Sequence, residues 1–343
     1  MRNNYSFLKI RLFLNILSKG KLSFRKICNA ALCFGTYILR IPTSAKYPYI
    51  LSLELGNDCN IACLFCRDEK GTIHNYNTKK PEATIAKGKM PVEMASDIIS
   101  QVKDDICVAV LYTNGEPLLY HDLPKVIRHA TQNKVATTIA SNGLLLNDRI
   151  AKEILEAGLD LIKIQLSGFT NDIYRIQTRF GDIEKLKANI KRLVELNRAG
   201  KHKTIILVDY ILYKYNAHQL EFVRNFCKEI GVLMNVRPGN PKGGLEDQET
   251  PLHQDKLPLK ESCSWIWQGM QINWNGDVLP CCEAVVWGDA KAYKKFEVGV
   301  TSVKEVWNSA PAVGMRKILG KSDGRGTIDM CSKCLRKGLC FKW

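Results

Sequence analysis

No acidic residue occurs among the first 46 positions, which nonetheless hold nine basic ones: Arg2, Lys9, Arg11, Lys19, Lys21, Arg25, Lys26, Arg40 and Lys46. This segment also lacks an apolar run of the roughly 20 residues that crosses a bilayer. Its longest apolar-leaning stretch, Ile27 to Leu39, has 13 residues and excludes a spanning helix. Three readings of residues 1–47 remain. A basic amphipathic segment lies on an anionic membrane surface, with Lys and Arg at headgroup level. Alternatively, it caps the following domain with its apolar face. A charged start, an apolar stretch and Thr43-Ser44-Ala45 also imitate a signal peptide, which conflicts with the cysteine usage below. The net charge of +16 would suit nucleic acid, but the cations alternate with large aliphatics rather than stacking aromatics, and no RNA-binding motif occurs. No nucleic-acid partner is expected.

Disulfide stapling is excluded next. Thirteen cysteines are an odd number, and 343 residues with 45% hydrophobic content bury a sizeable core without covalent help. The cysteines cluster as Cys59-x3-Cys63-x2-Cys66 and Cys331-x2-Cys334, the usage of reduced, metal-binding thiols. The expected location is therefore cytoplasmic, with the N-terminal segment peripheral on the cytoplasmic membrane face. Cys28, Cys33, Cys107 and Cys227 lie in apolar segments and read as core.

From residue 50 onward, apolar runs alternate with helix-period segments. Strands are predicted at 50–56, 106–114, 135–141, 159–167, 204–212 and 232–238, and helices near 91–103, 122–132, 147–157, 182–199 and 216–230. Six strands with five intervening helices make an α/β layer with a parallel sheet covered on both faces. Two further units needed for a closed eight-stranded barrel are missing, because the sequence after Pro238 turns polar and rich in Gly and Pro. The expected organisation is a basic segment at 1–47, a partial (β/α)6 barrel resembling a TIM barrel at 48–238, a linker at 239–262 and a small cysteine-rich domain at 263–343.

Cys59, Cys63 and Cys66 then fall in the loop after the first strand, at the C-terminal mouth of the sheet, where such folds place their chemistry. Three thiolates hold three irons of a 4Fe-4S cluster and leave one iron open. Structural zinc normally takes four protein ligands, and His74 is the nearest candidate for a fourth. The triplet, with Phe65 before its last cysteine, resembles the radical S-adenosylmethionine (SAM) superfamily over residues 48–238.

Thr113-Asn114-Gly115-Glu116-Pro117 is similar to that family's Gly-Gly-Glu-Pro motif, with Asn114 in place of the first Gly. By this resemblance, Gly115 admits the methionine part of SAM and Glu116 accepts from its amino group. Ser141, Asn142, Gln165 and Ser167 would contact the ribose and carboxylate, though as residues alone they are also strand-end turn chemistry. Arg237 would pair with a carboxylate of SAM or substrate, or stand as a solvated strand-end charge. The family uses an open iron to chelate SAM and releases a 5'-deoxyadenosyl radical after one-electron reduction. A protein reductant such as flavodoxin or ferredoxin is therefore expected.

A second constellation comprises Cys263, Cys281, Cys331 and Cys334, with a predicted hairpin turning at Asn275-Gly276. Four thiolates complete either a cluster site or a zinc site. The pattern resembles the SPASM and twitch domains, which implies one auxiliary 4Fe-4S cluster. Cys340 stands as an alternative ligand. Cys282 would face the opposite side of its strand and could return a hydrogen atom to a substrate radical, or be a small buried hydrophobe. Only 47 residues precede the first strand, too few for the leader-peptide-binding domain that peptide-modifying members often carry. Expectation therefore falls on a small molecule, such as a sugar or membrane-linked intermediate, undergoing oxidation or epimerisation. Peptide modification and a non-catalytic metal-binding protein are the alternatives.

Overall fold

The computed structural model describes residues 5–74, 85–239, 244–250, 263–287 and 292–334. Two helices, α1 (Tyr5–Ser18) and α2 (Phe24–Ile38), precede the first strand, β1 (Ile50–Leu53). The chain then alternates through α3 (Val92–Val102), β2 (Val108–Val110), α4 (Leu123–Gln132), β3 (Ala136–Ser141), α5 (Asp148–Glu156) and β4 (Leu161–Leu166). After α6 (Asn171–Gln177) and α7 (Ile183–Ala199) come β5 (Ile205–Leu212), α8 (Leu220–Ile230) and β6 (Leu233–Pro238). All six strands and five helices expected from the sequence are present. Local signals place the helix starts: the Asn147 side chain accepts from Ile150 N, and that of Asp182 from Glu184 N and Lys185 N.

β1 to β6 pair in sequence order, all parallel. A right-handed crossover of this kind covers the outer face with helices. Leu51, Leu53 and Leu55 accordingly pack with Ile98, Ile127 and Ile154 in the main core. Alternation sends Ile50, Ser52 and Glu54 to the inner face, where Ile50 joins Val108, Ala136, Leu161 and Leu207.

The C-terminal part extends this sheet. After α9 (Trp265–Gln268), strand β7 (Gly269–Ile272) pairs parallel with β1, then β8 (Asp277–Leu279) and β9 (Lys294–Lys295) add antiparallel strands. The hairpin turns at Gly276, whose φ of 87° suits glycine. The strand order β9-β8-β7-β1-β2-β3-β4-β5-β6 is open among the described residues, as a partial barrel requires.

The N-terminal helices close the foot of this sheet, at the N-terminal ends of the strands. Lys19 and Lys21 reach the buried Asp160, just before β4, at 2.9 and 2.6 Å, and Asp160 Oδ2 also accepts from Thr137 N. Arg25 donates to Asp105, before β2, through Nε and Nη2. Lys26 donates to the carbonyls of Lys21 and Lys134, and Asn29 to those of Tyr47, Pro48 and Asp105. Four of the nine N-terminal cations are thus spent inward, so the segment covers the foot through these charged groups together with Leu12 and Ile16, and not through an apolar face alone.

Candidate active site

The loop after β1 carries Cys59, Cys63 and Cys66 to the mouth of the sheet. Ala62–Cys63 pairs with Thr178–Arg179 in a short ribbon that holds the loop down. The backbone groups Cys66 N and Arg67 N both donate to Cys63 O. Burial pushes the Cys59 thiol up to about 11 and raises Cys63 and Cys66 as well. Cys63 also feels the electrostatic influence of both Cys59 and Cys66, so the three form one group. No three His, Cys, Asp or Glu side chains among the described residues are arranged to ligate a single ion. A cubane has irons at separate corners, so ligands that surround it do not converge on one point. Three half-buried thiols with no fourth protein ligand among the described residues suit such a cluster better than zinc. The His74 ring nitrogen lies 3.0 Å from the Leu64 carbonyl.

Sequence reasoning missed Arg67. It is buried, with Nη2 donating to the carbonyls of Asn57 and Asn114 and Nη1 to that of Gly71. Its positive charge opposes the rise of all three thiol pKa values, so it favours the thiolates that iron requires. The only sequence signal was a cation directly after the last cysteine.

The expected SAM contacts gather around this loop. A side chain at Gly115 would collide with the backbone of Gly56, Asn57 and Asp58, and Glu116 N donates to Asp58 O at 2.7 Å. The glycine therefore serves close packing of the motif against the cysteine loop. Glu116 is buried; its carboxylate accepts from Ser141 Oγ at 2.7 Å, Asn142 N at 2.8 Å and Leu118 N at 3.1 Å. Burial lifts its pKa to about 7 against the pull of those bonds. Asn142 Nδ2 donates to Asn60 Oδ1 at 2.9 Å and lies 3.9 Å from Cys59 Sγ. The Ser167 hydroxyl pairs with Thr178 at 3.1 Å, directly behind Cys63. Gln165 is half-buried in register with Asp209.

Arg237 is half-buried, and its Nε donates to Asp209 Oδ2 at 2.7 Å, across β5 and β6. Burial works to raise the Asp209 pKa, but Arg237 and Lys163 outweigh it and hold the carboxyl below its usual range.

Glu54, also missed, lies at the inner end of β1 and is 0% exposed. Its Oε1 accepts from Asn114 Nδ2 at 3.2 Å, and the backbone N–H groups of Asn114 and Trp274 also favour the carboxylate; Oε2 and Ser52 Oγ, two residues earlier on the same face, have no well-formed hydrogen bond among the described residues. Burial pushes the Glu54 pKa to about 7. Across the register, Gln271 stands opposite Ser52 and exchanges hydrogen bonds with Thr113 Oγ1. The wall between β2, β1 and β7 is thus polar and only partly satisfied.

In the C-terminal part, Cys263, Cys281 and Cys331 act on one another electrostatically, and burial pushes Cys263 to about 11 and Cys331 to about 12. Arg325 is buried beside them, donating Nη2 to the carbonyls of Cys331 and Cys334, with Nη1 unpartnered. This second thiol group also suits a cluster. Cys340 lies outside the described residues. Cys282 is 5% exposed in an apolar cluster with Trp265, Leu279 and Met330, which is the packing of a small hydrophobe and does not single it out as a hydrogen donor.

The radical SAM superfamily profile matches residues 53–225, half of the chain. This chain belongs to the radical SAM superfamily. An iron-sulfur cluster-binding SPASM domain matches residues 263–335, so the radical SAM protein uses SAM and a 4Fe-4S cluster and carries an auxiliary iron-sulfur domain.

Among curated relatives it is 24% identical, over 187 residues, to a probable GTP 3',8-cyclase of Methanocaldococcus jannaschii, covering 54% of this chain and 57% of that one. It is 28% identical to one of Metallosphaera sedula, covering 63% of each. The chain therefore spans a little under two thirds of these relatives. Streptococcus suis SuiB superposes with a TM-score of 0.60 at 15% identity, over 80% of this chain and 68% of that one. BtrN in complex with AdoMet and 2-DOIA gives 0.52 at 16% identity, over 86% and 97%. These structural likenesses establish the fold alone.

Proposed function

We propose that this radical SAM enzyme abstracts a hydrogen atom from a polar, hydroxyl-bearing small molecule of the sugar type, leading to oxidation or epimerisation. The observation that carries this reading is the inner wall, where Glu54 Oε2 and Ser52 Oγ are buried with no well-formed hydrogen bond among the described residues. Buried polar atoms are seldom left unpaired, and a substrate hydroxyl or amine would satisfy both. Cys59, Cys63 and Cys66 are assigned to the catalytic cluster, and Cys263, Cys281, Cys331 and Cys334 to the auxiliary one. A 4Fe-4S cluster held by Cys59, Cys63 and Cys66 would supply one-electron reduction of SAM, and with it the means of hydrogen-atom abstraction.

The chain's own residues do the rest. Glu116 ties the ends of β2 and β3 together and sets Asn142 against Cys59. Arg67 locks the cysteine loop to the Asn114 turn. After hydrogen abstraction, oxidation of an alcohol to a ketone releases one electron, which an auxiliary cluster held by the C-terminal cysteines would accept, and one proton, which Glu54, with a pKa of about 7, is suited to take up near neutral pH. A flavodoxin or ferredoxin is the proposed electron donor.

The relatives' names favour a second reading, nucleotide cyclisation. Both are tested with anaerobically reconstituted protein, dithionite and SAM, offering nucleotide sugars, cyclitols, GTP and peptides in deuterated water. Substrate-dependent 5'-deoxyadenosine with a ketone or a solvent-deuterated epimer supports the proposal. Turnover of GTP alone selects cyclisation, and turnover of peptides alone selects peptide modification. No SAM cleavage by fully loaded protein would leave a non-catalytic metal-binding protein.

A further inference from the structure

Among the described residues, eleven of the seventeen exposed large hydrophobic side chains lie between Ile10 and Ile41, and their spacing shows that they form a surface. On α1, Ile10, Phe13, Leu14 and Leu17 make one stripe, while Leu12 and Ile16 point into the core. On α2 the usual arrangement is inverted. Its buried face consists of Lys26, Asn29 and Cys33, and the first two are bonded to carbonyls just before strands, those of Lys134 and Pro48; its outward face carries Phe24, Ile27, Phe34 and Ile38. Phe24 is 83% exposed. A helix that buries amine and amide and presents phenyl rings to the outside is built for an apolar neighbour.

We propose that this foot docks in the plane of an anionic lipid bilayer. Beside the α1 stripe lies a cleft of about 540 Å3 whose lining includes Arg11, Arg198 and Lys203, and no acidic residue. Leu14 belongs to both stripe and cleft, which puts cations at the edge of the apolar surface, where lipid phosphates would stand. Arg40 is exposed at the far end of α2. A second copy of the chain is a poorer occupant, because a two-fold contact would set two acid-free helix pairs against each other. No helix among the described residues is long and apolar enough to cross a membrane, so the contact is peripheral.

The foot lies at the N-terminal ends of the parallel strands and the cysteine loop at their C-terminal ends. Docking therefore turns the mouth away from the bilayer, localising the enzyme without feeding substrate from the lipid phase. This inference is independent of the substrate reading.

The test is flotation of the full reconstituted chain with vesicles of phosphatidylcholine alone or mixed equally with phosphatidylglycerol, at low and high salt. The expected result is binding to the anionic vesicles, weakened by salt. The double substitution Phe13→Glu/Phe34→Glu should lower partitioning at least about tenfold, and Arg11→Glu/Lys203→Glu by about tenfold, with melting temperature and 5'-deoxyadenosine formation unchanged. Absence of binding to anionic vesicles, or equal binding by folded Phe13→Glu/Phe34→Glu protein, would overturn the proposal. A dimer in solution that this double variant dissociates would instead assign the face to a second copy.

Discussion

At the foot of the sheet, Lys19, Lys21, Arg25 and Lys26 all find partners within the protein, whereas at the mouth Glu54 keeps a buried oxygen with no well-formed hydrogen bond among the described residues. Both ends use charge buried by the same strands. An ionic group answered from within the fold contributes to holding the fold together. One left unanswered raises the energy of the empty protein and is compensated by whatever binds there. Foot substitutions should therefore lower stability without altering turnover, whereas replacing Glu54 should lower turnover without lowering stability.

The largest stability effect is expected from Asp160→Asn, which removes the charge answering Lys19 and Lys21. Denaturant titration should show a loss of about 3 to 5 kcal/mol, with turnover per folded molecule unchanged. A loss of turnover with intact stability would break the division.

Glu54→Gln comes next. The Glu54 pKa rises on folding from the ordinary 4.5 to about 7. Below pH 4.5 the carboxyl is protonated in both states; between 4.5 and 7 the unfolded chain ionises first. Its contribution to stability therefore falls across that window, by on the order of 3 kcal/mol, and then levels. The Gln variant should flatten this slope and be more stable than the parent at pH 8. Its substrate turnover should fall at least about 100-fold, while uncoupled SAM cleavage survives.

Smaller differences separate the two arginines beside the thiol groups. Arg67→Met strands three carbonyl partners and should cost about 3 kcal/mol; Arg325→Met strands two and should cost about 2. Chemical denaturation of both variants checks the order. Equal losses would show that carbonyl count does not set their contribution.

Much of this was legible in the residues. Apolar runs such as 204–212 are strands because only a two-sided sheet hides so many branched side chains, and the Asn275-Gly276 turn announced the β7–β8 hairpin. The cysteine loops were readable because ligand spacing is local. The pairing of β7 with β1 was not, since non-local register leaves no mark in either strand. Arg67 and Glu54 escaped because a lone charge acquires meaning only from burial. The Arg237 pairing was not foreseen for the same reason, its partner Asp209 lying 28 residues away. In α2 the two faces were visible but not which one turned inward, because burying Lys26 and Asn29 makes sense only once the carbonyls just before the strands are in place.

The central claim, that the β1 loop holds the catalytic cluster and the C-terminal cysteines a separate one, is tested most directly by counting iron and measuring dithionite-driven 5'-deoxyadenosine. The samples are the parent, Cys59→Ala/Cys63→Ala/Cys66→Ala and Cys263→Ala/Cys281→Ala. About eight irons per chain should fall to about four in either variant, with SAM cleavage abolished only in the first. Zinc in place of iron, or SAM cleavage surviving the triple substitution, would contradict it.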